Sequence, residues 1–118
     1  MERIVFEVYE DANGDSPFYE WAEALPKKDR AKLFAVIDRV QQFGLPEAAR
    51  QQWVKHLDGP IWEIRSQFAG NIQRACYFHV MANRYVITHG FTKKTQKTPH
   101  GEIDRAMRIY RLLAQKGA

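Results

Sequence analysis

The sequence predicts a small single-domain α+β protein with elements in the order β-α-α-β-β-β-α and an antiparallel-dominated sheet packed by helices. Three observations carry this. Strand-like runs of β-branched and aromatic residues cluster after residue 60, separated by turn tripeptides. Two stretches of helical periodicity lie between an opening strand and that cluster. A last amphipathic stretch follows a Thr-Pro start signal. At 118 residues, one domain (1–118) is long enough to bury a core without disulfide or metal staples.

Arg3 to Tyr9 is rich in β-formers and reads as a strand. Asn13-Gly14-Asp15 breaks it, and Ser16-Pro17 supplies an N-cap followed by proline at the first helical position. Phe18, Trp21, Ala22 and Leu25 recur at helical spacing, giving a short helix that ends near Pro26. A longer helix runs from Lys27 to Phe43 with Leu33, Val36, Ile37 and Val40 as its apolar stripe, and Gly44 stops it. These two helices form an αα-hairpin. Gln52 to Leu57 reads as a short strand or an extended connector, and Asp58-Gly59-Pro60 is a turn.

Three strands follow, Ile61 to Phe68, Ile72 to Val80 and Arg84 to Phe91. The connections Ala69-Gly70-Asn71 and Met81-Ala82-Asn83 are short enough for hairpins, so a meander is expected. Both faces of these strands carry apolar residues, which predicts a sheet covered by helices on one side and partly wet on the other. The final helix opens at Thr98-Pro99. Ile103, Ala106, Met107, Tyr110 and Leu113 form its buried stripe, and Arg105, Arg108 and Arg111 drift along another side.

Composition narrows the function classes. A hydrophobic fraction of 45% with 27% charged residues is that of a globular chain. No apolar run reaches the length of a membrane span, and the opening Met-Glu-Arg-Ile-Val enters a strand pattern rather than a signal peptide. Cys76 has no partner for an internal disulfide, so a reducing, cytoplasmic setting is expected. The net charge of +4 is unevenly spread. Residues 1–30 carry eight acids against four Lys/Arg, whereas residues 84–118 carry eight Lys/Arg against two acids. Such a positive field is either a solvated basic face or an anion-binding surface.

The run His89-Gly-Phe-Thr-Lys-Lys-Thr-Gln-Lys-Thr-Pro99 favours the second. Lys93, Lys94 and Lys97 bring cations, and Thr95 and Gln96 bring hydroxyl and amide donors, the groups a phosphate backbone requires. The four histidines lack the paired spacing of a zinc helix, no glycine-rich phosphate loop is present, and no metal or other cofactor is expected. Arg65 ends Trp62-Glu63-Ile64-Arg65 and Arg74 begins the next strand, so these arginines and the lysines can converge on one groove. Metal-free RNA cleavage needs an activated 2′-oxygen, a stabilised phosphorane and a protonated 5′-oxygen. Arginine and lysine suit the phosphorane, and His56, His89 or a lysine in a cationic cluster can move protons. The plainer alternatives are that Arg65 and Arg74 pair with Glu63 or Asp58, that His89 is a packed imidazole, that Tyr77 fills the core instead of stacking a base, and that Cys76 is a core thiol.

Taken together, Trp62-Glu63-Ile64-Arg65, Arg74-Ala75-Cys76-Tyr77 and His89-Gly90-Phe91 with the run Lys93 to Pro99 resemble the phage-derived, HigB-like branch of the RelE/ParE toxin superfamily. The resemblance covers nearly the whole chain in element order and is densest over Ile61–Leu113. It implies a RelE-like fold and a type II toxin made beside an antitoxin, often a small helix-turn-helix protein. It also implies a ribosome-dependent endoribonuclease that leaves a 2′,3′-cyclic phosphate on mRNA. By motif position Arg74 matches the arginine before the third strand's tyrosine, Lys93 or Lys94 falls where a catalytic arginine follows the last strand, and Arg65 ends a strand that carries basic residues in the relatives. Two positions depart from the pattern. Glu63 stands where ribonucleolytic relatives carry lysine, and the tyrosine near the start of the last helix has no counterpart beyond His100 or Tyr110.

The expected function is therefore a toxin ribonuclease with ribosome, mRNA and a cognate antitoxin as partners, and no membrane. Arg65, Arg74, Lys94 and His89 are the expected catalytic residues. Lys93, Lys97, Thr95, Gln96, His56 and Tyr77 are the expected substrate contacts. The alternatives are a gyrase poison, as the same superfamily also contains, or a non-catalytic RNA- or protein-binding module using the same patch.

Overall fold

The computed structural model describes residues 3–94 and 97–115. Their elements are β1 (Val5–Val8), α1 (Pro17–Glu23), α2 (Lys27–Phe43), α3 (Leu45–Arg50), β2 (Val54–Asp58), β3 (Ile61–Phe68), β4 (Asn71–Met81), β5 (Arg84–Lys93) and α4 (His100–Gln115). The strands form one sheet in the order β1-β5-β4-β3-β2, antiparallel except where β1 runs parallel to β5. The α+β class and the meander stand as the sequence predicts, with α3 as an addition and β2 as the strand, not the connector, of the two readings open for that stretch.

Local chemistry accounts for the boundaries. Ser16 Oγ accepts from the Tyr19 amide at 3.2 Å, and Pro17 occupies the first turn of α1, where no amide proton is needed. At Gly44 the backbone φ of 87° is reached without a Cβ penalty. Its amide still donates to Val40 O at 2.9 Å, so α2 ends and α3 begins in one residue. The β3–β4 turn places Ala69 and Gly70 at φ 50° and 86°, a two-residue hairpin loop whose twist matches the flanking strands. That loop sets Phe68 opposite Asn71, and counting back three residues on each strand sets Arg65 opposite Arg74.

Pleating divides the buried residues into two cores. On one face Ile64, Ala75, Tyr77 and Ile87 meet Phe18 and Ala22 of α1, Leu33, Val36, Ile37 and Val40 of α2, and Ala48 of α3. On the other, Ile61, Cys76, Phe78, Val86 and Phe91 pack under α4 through Ala106, Met107, Tyr110 and Leu113. Burying a side chain such as Leu33 or Ile64, both wholly inaccessible, stabilises the fold by roughly 1.5–3 kcal/mol. Helices α1 to α3 cover one face, and the other is covered in part, as the sequence predicts, by α4. α4 covers one end of its face, and the polar end beyond it holds Glu63, Arg65, Arg74 and Lys93.

A polar chain built on the buried Asp29 and Gln73 locks that end to the helices behind it. Asp29, in the first turn of α2, accepts from Asn71 Nδ2 (3.0 Å) and Gln73 Nε2 (3.4 Å). Gln73 Oε1 accepts from Thr92 Oγ1 at 2.7 Å, and Thr92 Oγ1 accepts from Trp21 Nε1 at 3.4 Å. The ends of β4 and β5 are thereby fixed to α1 and α2 by bonds that satisfy otherwise buried polar groups.

Candidate functional site

Four consecutive strands each turn one cation to the α4 side of the sheet: Lys55 from β2, Arg65 from β3, Arg74 from β4 and Lys93 from β5. Register produces this, since Lys55 pairs with Glu63, Arg65 with Arg74, and Ile72 with Lys93, and positions two apart share a face. Arg65 and Arg74 are direct cross-strand neighbours, an arrangement unfavourable for like charges unless a counter-charge is supplied. Glu63, 1% exposed, supplies it. Its Oε2 lies 3.4 Å from Arg74 Nε and 3.7 Å from Arg65 Nε, while Oε1 accepts from Thr98 Oγ1 at 2.8 Å. The acid that departs from the resembling pattern therefore serves as the counter-ion that lets two arginines share a site. Four cations face one carboxylate, so the cluster keeps an excess of positive charge.

Burial sharpens the electrostatics. Desolvation pushes the Arg74 guanidinium below its usual range, with Arg65 adding to the shift and Glu63 opposing it, and Arg74 Nη1 is held by Gln73 O at 3.0 Å. An arginine in this state still carries its proton. Lys93 is 6% exposed, and its ammonium is also shifted down. Burial is the main cause and Arg74 the next, with Arg65 and Lys55 in the same direction and Glu63 against. Arg65 Nε and Arg74 Nε are buried and make no hydrogen bond among the described residues, their facing anion being Glu63 Oε2. The two arginines border a polar cleft of about 240 Å³ lined also by Gln52, Ser66 and Gln67. Guanidinium groups at such a cleft suit the oxygens of a phosphate, which accept charge-assisted hydrogen bonds from them. A larger apolar groove of about 570 Å³, walled by Leu45, Pro46, Trp62, Tyr77, Tyr85 and Tyr110 among others, has no Lys, Arg or carboxylate in its lining. His79 and the tyrosines supply the only titratable groups in its lining, so it lacks the fixed positive charge that a phosphate favours.

Arg65, Arg74 and Lys93 are thus brought together, whereas Lys94, His89, Tyr77 and His56 fall elsewhere. Lys94 is exposed just past the end of β5, and Lys97 is exposed before α4. Thr95 and Gln96 lie outside the described residues. His89, expected among the catalytic groups, is wholly buried. With its proton on Nε2 it donates to Glu102 Oε1 (3.0 Å), and Nδ1 accepts from Thr88 Oγ1 (3.0 Å). Burial, with Arg105 helping and Glu102 opposing, lowers its pKa to about 4, so at neutral pH it is an uncharged bridge between β5 and α4. Tyr77 fills the opposite core, with ring centroids 5.1 Å from Phe6 and 6.0 Å from Tyr85, and presents no face to a base. His56 is exposed, but it alternates with Lys55 and so points away from the cluster. Its Nε2 lies 2.8 Å from Gly59 O. Cys76 is buried in the α4-side core, and burial pushes its thiol up, as befits a packing residue.

Sequence reasoning missed Lys55 and the link from Thr98 to Glu63. Only the register of β2 against β3 reveals the first, because nothing in the composition of residues 52–57 separates strand from connector. Among the described residues no group of three His, Cys, Asp or Glu side chains is arranged to hold a metal ion. No helix among them is long and apolar enough to cross a membrane.

Comparison with known proteins gives the family. No curated protein matches the chain. The model of the phage-derived protein Gp49-like family (DUF891) matches residues 20–111, a span that starts within α1, ends within α4 and takes in Lys55, Glu63, Arg65, Arg74 and Lys93. On that match the chain belongs to the phage-derived Gp49-like family, a family of toxins from toxin–antitoxin systems, and its partner is an antitoxin.

Proposed function

We propose that this toxin is a metal-independent endoribonuclease that cuts mRNA on the ribosome in the cytoplasm. The observation that carries the reading is the pair of cross-strand arginines, held on one shared carboxylate, that both line a polar cleft. A phosphodiester seated between Arg65 and Arg74 gains charge as the 2′-oxygen attacks, and preorganised guanidinium donors stabilise that charge more than the ground state. Lys55 and Lys93 raise the local potential further, and the exposed Lys94 and Lys97 add to the positive field met by neighbouring phosphates of message or ribosomal RNA. In this reading a message bent in the ribosomal decoding site aligns its own 2′-oxygen with phosphorus, which is the ribosome's part in the reaction. The antitoxin, of the helix-turn-helix kind, silences the toxin in the resting cell.

The test is purified protein with programmed ribosomes and mapping of message 5′ ends. Discrete cuts ending in 2′,3′-cyclic phosphates are expected, reduced by about 100-fold or more in Arg74→Ala. Intact message at toxic expression levels together with failed DNA supercoiling would replace this reading with gyrase poisoning. Salt-sensitive RNA binding without cuts would leave a binding module.

A further inference from the structure

We propose that Lys93 is the proton donor of the cluster, delivering a proton from Nζ to the 5′-oxygen that leaves when the message is cut; this rests on the ribonuclease reading above. The geometry selects it by elimination. Arg65 and Arg74 face the cleft but hold their protons too tightly to transfer them. His89 lies buried between Thr88 and Glu102, and His56 is on the other face. Lys55 shares the face but is exposed on the edge strand β2, and Lys94 and Lys97 are exposed as well. Lys93 pairs with Ile72, two residues from Arg74, and so stands beside Arg74 on the face that carries Glu63 and Arg65.

Its surroundings fit a donor. The charged groups facing Lys93 are Lys55 from β2, Glu63 and Arg65 from β3 and Arg74 from β4, three cations against one carboxylate. From the segment leading into α4, the Thr98 hydroxyl is engaged with Glu63. A lysine 6% exposed in such company is more easily neutralised than one in water, as its lowered pKa records. The bound phosphodiester adds negative charge and keeps the proton on Nζ until the 5′-oxygen develops its own. In the step, the bond from the 2′-oxygen to phosphorus forms and the bond from phosphorus to the 5′-oxygen breaks. The 2′-hydroxyl proton passes to water, and the Nζ proton passes to the 5′-oxygen. The products are a 2′,3′-cyclic phosphate and a 5′-hydroxyl, and the amine then recovers a proton from water, with no oxidant or reductant required.

The test compares an ordinary message with one whose cut-site 5′-oxygen is replaced by sulfur, a leaving group that departs without a proton. Both are presented on programmed ribosomes to the full-length toxin under single-turnover conditions. Lys93→Arg keeps the positive charge but not the transferable proton. It is expected to lose about 100-fold or more on the oxygen message, to regain most of that on the sulfur message, and to bind a 2′-deoxy message as wild type does. The wild-type protein provides a control that needs no variant: its rate should fall at alkaline pH with the oxygen message and not with the sulfur one. Equal rates for Lys93→Arg and wild type overturn the assignment, as does a loss that sulfur does not relieve or an alkaline fall shared by both messages. Failure of the wild type to cut either message instead brings down the ribonuclease reading and this inference with it.

Discussion

Glu63 Oε2 lies 3.4 Å from Arg74 Nε, both side chains are buried, and the carboxylate is shared with Arg65 at 3.7 Å. One acid thus holds two cross-strand arginines in place while leaving their outer donors for another anion. Removing one member of a buried charge group leaves the others uncompensated, which is more damaging than the net worth of the pair. Glu63→Gln, near-isosteric but neutral, is expected to destabilise the protein by about 3–5 kcal/mol in urea denaturation. Added sulfate should restore part of this by binding the folded state alone, and more in the variant than in the wild type. A variant as stable as the wild type, or one indifferent to sulfate, would show that Glu63 is not the counter-ion of the cluster.

His89 makes stability depend on pH in a definite direction. The unfolded chain's imidazole titrates near 6.5, whereas the folded protein resists that proton until about 4, because burial and Arg105 disfavour the cation. Above the unfolded value both states are neutral and the group contributes no slope. As pH falls from 6.5 towards 4 the unfolded state takes up the proton first, so stability drops, by an amount on the order of 3 kcal/mol over the window, and then levels. Chemical denaturation at about pH 7.5 and about pH 4.5 measures the difference. His89→Gln should shrink it, and an equal slope in that variant would assign the acid sensitivity to other groups.

The ring of Trp21 lies against the backbone of Gly90, where an added β-carbon would overlap it. Gly90→Ala should therefore cost about 1–3 kcal/mol through overpacking. Trp21→Leu in the same background should recover part of it, a non-additivity that a double-mutant cycle on thermal unfolding detects. Additive effects would mean that the contact is not the source of the loss.

Much of the cluster was legible in the sequence. The hairpin is legible, and Glu63 shares a face with Arg65 by simple alternation, but a three-residue connection Ala69-Gly70-Asn71 misplaces the pairing by one; the two-residue turn at Ala69-Gly70 is what sets Arg65 opposite Arg74. Lys93 is less legible, since the sequence reading ends the last strand at Phe91. The β4–β5 ladder carries two irregularities, between His79 and Met81 and between Cys76 and Tyr77, and they cancel, so Ile72 meets Lys93 in the register that the Ala82-Asn83 turn sets. Choosing between Lys93 and Lys94 required knowing that the pleat persists to the last residue of β5, which no local propensity states. α3 is only six residues long, too short to display a period, and β2 has no strong alternation, so Lys55 had no visible address. His89 looked available because its neighbours are polar threonine and glycine. The partners that bury it, Glu102 and Arg105, come from a helix that begins eleven residues later.

The separate places of Arg74 and Lys94 predict different binding phenotypes. Arg74 is buried beside the cleft and Lys94 is exposed beyond the strand. In fluorescence titrations of ribosome-bound, 2′-deoxy-blocked message, Lys94→Ala should weaken affinity modestly and lower the slope of log affinity against log salt by about 0.7, the signature of one lost phosphate contact on a single strand. Arg74→Ala should remove a comparable share of that slope. Unlike Lys94→Ala, it should also abolish cutting even at saturating protein, because its loss is felt chiefly where the phosphate gains charge. Cleavage by Lys94→Ala at saturation should stay within about tenfold of wild type. If Lys94→Ala instead loses cutting while Arg74→Ala retains it, the catalytic cation is the exposed lysine and the phosphate sits outside the cleft.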